Sequence, residues 1–81
     1  MALSSQQLRM ARACVRWSIA DLAERSGVAV STVKRAEATD GPVSVTRPNA
    51  EAMQRTLEAA GVEFIPENGG GAGVRMKKPT A

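Results

Sequence analysis

Eleven Lys and Arg side chains and no His set the chemistry open to this 81-residue chain. Arg9, Arg12 and Arg16 recur three or four residues apart, and Lys34 and Arg35 stand together just after the hydroxyls of Ser31 and Thr32. Guanidinium and ammonium groups are cations at neutral pH. They donate hydrogen bonds to phosphates and carboxylates and are poor proton shuttles. Their placement is uneven. Residues 1–35 hold six basic side chains (Arg9, Arg12, Arg16, Arg25, Lys34, Arg35) against Asp21 and Glu24, a local charge of +4. Residues 36–67 hold Arg47 and Arg55 against Glu37, Asp40, Glu51, Glu58, Glu63 and Glu67, giving −4, and Arg75, Lys77 and Lys78 return the end to +3. A basic first half before an acidic middle predicts a polyanion-facing side and a far side. The same charges also fit a solvated surface, and the pattern alone does not choose.

Other chemistries drop out. Without His there is no His-based triad, and with Cys14 as the single Cys there is no multi-Cys zinc site or intrachain disulfide. No nucleophile–base pair or carboxylate pocket is recognisable, so neither an enzyme, a cofactor nor a metal is expected. No apolar run approaches the ~20 residues of a membrane span. One free Cys, and arginines where an export signal needs its apolar stretch, predict a cytoplasmic protein.

The elements that must position these groups are mostly helical. Ser4 or Ser5 can cap a helix over residues 4–16, with Leu8, Ala11 and Val15 as its apolar stripe. Ser18-Ile19-Ala20-Asp21 is a capping-box-like start for a second helix, with Leu22 and Ala23 inward and Gly27 at its end. A third helix spans residues 30–38, with Val33 and Ala36 inward. Thr39-Asp40-Gly41-Pro42 is a turn, residues 43–47 form a loop, and a fourth helix starts near Pro48 with Met53 and Leu57 buried and Gly61 as its stop. Aromatics are 2% of the chain, Trp17 and Phe64, so the core is aliphatic and Ala-rich. Val62-Glu63-Phe64-Ile65 and Val74-Arg75-Met76 read as the strands of a hairpin. The NGGGAG between them lacks the following helix and Lys-Ser/Thr of a phosphate loop, so it is a hairpin turn.

The information concentrates in SIADLAERSGVAVSTVKRAE, residues 18–37. Leu22-Ala23, Gly27-Val28, Val33 and Ala36 fall at helix-turn-helix spacing. Ala23 is small where two helices cross, Gly27 makes the sharp turn, and Leu22, Val28 and Val33 wedge the helices apart. The second helix of such a pair projects from the body and fits a major groove ~12 Å wide.

On these residues, with LRMARACVRWSIADLAERSGVAVSTVKRAE in register, the chain resembles the phage-repressor and Cro-type helix-turn-helix family, the Xre family, over roughly residues 5–61. The tail GVEFIPENGGGAGVRM resembles that of small bacterial regulators of this type. The fold so implied is mostly α: a compact four-helix helix-turn-helix domain over residues 1–61, a short C-terminal β-hairpin over 62–76, and a disordered tail over 77–81. The resemblance further implies that Val30, Ser31, Lys34 and Arg35 face bases or adjacent backbone of a double-stranded DNA operator, with Thr32 a weaker contact and Arg47 and the start of the second helix at Ser18 and Ile19 near phosphates. It implies an ion pair between Arg12 and Glu37, tying the first helix to the third. Arg9 and Arg16 are further candidates for phosphate. Trp17 is expected to pack as a partly buried lid, and Cys14 as a small packing residue.

The sequence departs from the family at three places. Ile19 stands where Gln is frequent, so only backbone N–H groups at that helix start remain for phosphate. Ala29 stands where a capping Ser or Thr is common, and Ala36 is smaller than the usual Leu or Ile. The hairpin adds apolar strands to a helical domain, and Val62, Phe64, Ile65, Val74 and Met76 are expected at a dimer interface. The leading expectation is a transcriptional regulator, repressor or activator, acting as a homodimer on a palindromic operator. The alternative is a protein-interaction module, such as an antitoxin or a small antiactivator, that binds another regulatory protein.

Overall fold

The computed structural model describes residues 3–77. Four helices and a two-stranded antiparallel hairpin follow one another: α1 (Ser5–Val15), α2 (Ile19–Ser26), α3 (Val30–Ala38), α4 (Arg47–Ala59), β1 (Val62–Ile65) and β2 (Gly73–Met76). The fold is therefore the expected mostly-α four-helix arrangement with a C-terminal hairpin. Among the described residues, no helix is long and apolar enough to cross a membrane.

Local chemistry explains the boundaries. Ser4 caps α1 in a full capping box: its hydroxyl accepts from the Gln7 N–H, and the Gln7 side chain accepts from the Ser4 N–H. Leu3 and Leu8, at the two staple positions around this cap, are both buried. Ser18 and Asp21 repeat the box at α2, and Gly27 ends that helix at φ 75. Arg16 ends α1 at φ 58 and is, among the described residues, the only non-glycine with positive φ. α4 begins one residue earlier than the Pro48 signal, at Arg47, with Pro48 in its first turn.

Leu8, Leu22, Val33, Met53, Leu57 and Val62 are fully buried and draw every element but β2 into one core. β2 joins through Val74, which packs against that core. Two expectations are corrected here. Val62 and Phe64 do not offer themselves to a second chain, because they fill the core of their own. The hairpin is thus no appendage to residues 1–61: α1 packs along β2, and α4 packs on β1. Gln7 sets the join, its Nε2 donating to the carbonyls of Ile65 and Gly73 at 3.1 Å each. Cys14 is likewise no packing residue. It lies beside the Leu8–Ala11–Val15 stripe in the last turn of α1 and is exposed. Of the expected tail, residues 78–81 lie outside the described residues.

Candidate nucleic-acid interface

α2 and α3 pack on each other through the turn at Gly27 and Val28, with Leu22, Ala23, Val28 and Val33 buried between them. This fixes which side of α3 faces out. With Val33, Ala36 and Glu37 inward, Val30, Ser31, Lys34 and Arg35 are all exposed and Thr32 is half-buried at the edge. At 42% exposure Val30 is a large apolar side chain left in water at the head of the helix. Ala29 supplies no side-chain cap, so the first N–H groups of α3 are left without one.

The far end of α3 is held by α1. Arg12 donates through Nε and Nη2 to the two carboxylate oxygens of Glu37, each at 2.9 Å, and through Nη1 to the carbonyl of Trp17. The hydrogen bond to Glu37 raises the guanidinium's pKa above its ordinary value, so the charge is permanent. Ser5 Oγ lies 2.5 Å and 2.6 Å from the carbonyls of Ala36 and Thr39, its one proton shared between them. Arg9 donates to the Glu37 carbonyl and to the Asp40 carboxylate. These contacts satisfy carbonyls that a helix C-terminus otherwise leaves open. The implied Arg12–Glu37 pair is therefore present as a bidentate bridge.

The contacts divide the cations. Arg9 and Arg12 are engaged on α3, Arg25 stacks on the Trp17 ring at 4.7 Å, Arg55 pairs with Glu51, and Arg75 with Glu63. Arg16, Lys34, Arg35 and Arg47 make no ion pair or side-chain hydrogen bond among the described residues. Arg9 is thus removed from the phosphate candidates as a free cation, whereas Arg16 stays exposed just ahead of α2. Trp17 is half-buried against the core, as a lid should be.

At the start of α2, the Ser18 hydroxyl and the Asp21 carboxylate are both taken up by the capping box. Bonds from the Ser18 backbone and side chain hold the Asp21 carboxyl below its ordinary value of 3.8, so an acidic group stands at this helix start. Ile19 packs its side chain against the core and can contribute only backbone there. Ser18 and Ile19 are therefore weaker phosphate sites than the resemblance implies. Gln7 is the residue the sequence reading missed, and the Ser4-x-x-Gln7 box was its signal. Among the described residues, no cluster of His, Cys, Asp and Glu could hold a metal. No family model matches the chain, and no curated protein matches it in sequence.

Proposed function

We propose that this chain binds double-stranded DNA, laying the exposed face of α3 in the major groove, and that it acts as a homodimeric transcriptional regulator on a palindromic site. One observation carries the reading. The cations of α1 are consumed in holding α3, while Lys34 and Arg35 stand unpaired on the outward face of α3 beside Ser31 and Val30. Neither charge is spent on an ion pair or side-chain hydrogen bond among the described residues, so both are available to an outside anion.

The chemistry of the face suits base edges. Arg35 or Lys34 donates to guanine O6 and N7, Ser31 bonds several bases, and the Val30 methyls meet a thymine methyl. Arg47 at the first turn of α4 and Arg16 before α2 are free to contact the backbone, which sets register without reading sequence. The resemblance of residues 5–61 to the phage-repressor type of helix-turn-helix supports the same assignment.

Site selection from random duplex DNA, followed by a salt titration of the recovered site, tests it. Each neutralised phosphate contributes about −0.9 to the slope of log affinity against log salt, so a slope near zero rules the reading out. Lys34→Ala and Arg35→Ala should each cost about 1–3 kcal/mol if they read bases. If both variants leave DNA binding unchanged, the interaction-module reading replaces this one.

A further inference from the structure

We infer that the free edge of β2 pairs antiparallel with β2 of a second copy, in a register that sets Val74 opposite its own symmetry mate. The inference rests on, and gives structure to, the homodimer of the proposed function.

The hydrogen-bonding direction of the hairpin follows from two observations. The strands pair Val62 with Met76, Glu63 with Arg75, Phe64 with Val74 and Ile65 with Gly73, and the Lys77 N–H donates to the Gly61 carbonyl at 2.8 Å. In an antiparallel ladder hydrogen-bonded pairs alternate with non-bonded ones. A bond at the 61–77 pair therefore makes 63–75 and 65–73 the bonded pairs. The N–H and C=O groups of Val62, Phe64, Val74 and Met76 point away from the hairpin. On β1 that outward side is shut, since Val62 and Phe64 are buried. On β2 it is open: Val74 is half-buried, Met76 is 47% exposed, and neither main chain has a hydrogen-bond partner among the described residues. An unpaired edge of this kind is a template for another strand.

The side chains identify that strand and its register. Val62, Phe64, Val74 and Met76 share the face toward the helices, and Glu63 and Arg75 share the outer face. With Val74 opposite Val74 of the second copy, the inner face carries an unbroken apolar row, Phe64–Val74 in one copy continuing into Val74–Phe64 of the other. Met76 then meets Ala72. On the outer face Arg75 lies opposite Gly73, which has no side chain, and keeps Glu63 as its counter-ion within its own chain. Sliding the second copy by two residues one way sets Arg75 directly against Arg75, and like charges directly opposite destabilise a ladder. Sliding it the other way sets Gly73 against Gly73 and Val74 against Ala72, which breaks the apolar row. Charge and apolar contact together select one register, and in it the strand is complementary to itself. The result is a four-stranded sheet, β1-β2-β2-β1, with Val74 at the two-fold axis.

Three measurements on the full chain test this. The chain should sediment as a dimer without DNA. Met76→Pro removes an outward N–H that the hairpin does not use, so it should give a monomer with unchanged circular dichroism. In a Cys14→Ser background, Val74→Cys should cross-link on mild oxidation, because a hydrogen-bonded pair holds its Cα atoms about 5.5 Å apart, within disulfide reach. Arg75→Cys should not. A monomeric wild-type chain, or a dimer that Met76→Pro leaves intact, overturns the proposal; cross-linking through Arg75→Cys in place of Val74→Cys overturns the register. DNA binding is scored separately, on a single half-site. Half-site binding by a monomer sinks the dimer and keeps the DNA reading, whereas a cross-linked dimer with no salt-dependent DNA binding does the reverse.

Discussion

Arg12 and Glu37 meet across two parallel hydrogen bonds of 2.9 Å, one residue near the end of α1 and the other at the end of α3. The carboxylate side chain is only 6% exposed and the guanidinium 23%. Planar fork meets planar carboxylate, so direction is fixed as well as distance. α1 thereby sets where the last turn of α3 points, and with it the exposed face that carries Lys34 and Arg35.

Glu37→Gln leaves Arg12 partly buried with one charged partner gone. Losing one member of a fully buried pair costs about 3–5 kcal/mol, and the partial exposure of Arg12 brings the expected loss to about 2 kcal/mol. Arg12→Lys should destabilise by a similar amount, because an ammonium cannot reproduce the fork. Urea unfolding monitored through Trp17 measures both, and a change within ±0.5 kcal/mol would mean that the bridge is only a surface pair.

Arg9→Ala should separate anchoring from DNA contact. It removes a donor to the Glu37 carbonyl and a surface pair with Asp40, whose side chain is 68% exposed. The expected cost in stability is about 1 kcal/mol, most of it from the carbonyl bond. The salt slope of DNA binding should stay where it was, whereas Arg35→Ala should shift affinity with little effect on unfolding.

Arg16 and Gly27 make a matched test of backbone strain. Both take the left-handed conformation, at φ 58 and φ 75. An L side chain there costs about 1–2 kcal/mol, and added unfolded-chain freedom returns part of any gain from glycine. Arg16→Gly should therefore stabilise the fold by about 0.5 kcal/mol. Gly27→Ala should destabilise it by about 1 kcal/mol, and by backbone strain alone, because nothing lies within 4 Å of the added methyl. Thermal unfolding of the two variants should move in opposite directions.

Ala29→Ser supplies the cap that α3 lacks. The residue sits at φ −61 and ψ 144, the extended conformation of an N-cap, so the hydroxyl can reach a first-turn N–H without rearrangement. A gain of about 1 kcal/mol is expected, together with slower amide exchange in the first turn of α3.

Acid should weaken the fold through two surface carboxylates, Asp21 and Glu63. Bonds from Ser18 hold Asp21 below its ordinary 3.8, and the hydrogen bond from Arg75 holds Glu63 below its ordinary 4.5. A carboxyl whose folded pKa is depressed binds its proton more readily in the unfolded chain. Its contribution is complete above the unfolded value and fades as pH falls through the folded one. Stability should thus be flat near neutrality and decline below about pH 4, and Asp21→Asn should flatten part of that decline in urea titrations at stepped pH.

The helices were legible in the sequence because their signals act over three or four residues. The Ser18–Asp21 box, Gly27, the Leu8–Ala11–Val15 stripe and the 62–65 strand each fell where the local pattern put them. Ser31, Lys34 and Arg35 were legible as outward for the same reason, since burying Val33 and Ala36 turns them away by the 3.6-residue period, whereas Val30 lies at the edge of that face and entered only through the resemblance. What no local pattern holds is the destination of a long side chain. Arg9 lies within α1 and Arg16 caps its end, yet Arg9 ends on residues about thirty positions away and Arg16 on none among the described residues. Cys14 and Val62 were misplaced similarly: one lies just off a buried stripe, and the other lies in a strand whose apolar row fills its own core. Only the packing of α1 against both α3 and the hairpin decides which cations remain free and which strand edge stays open, because those outcomes depend on neighbours that the chain brings together by folding.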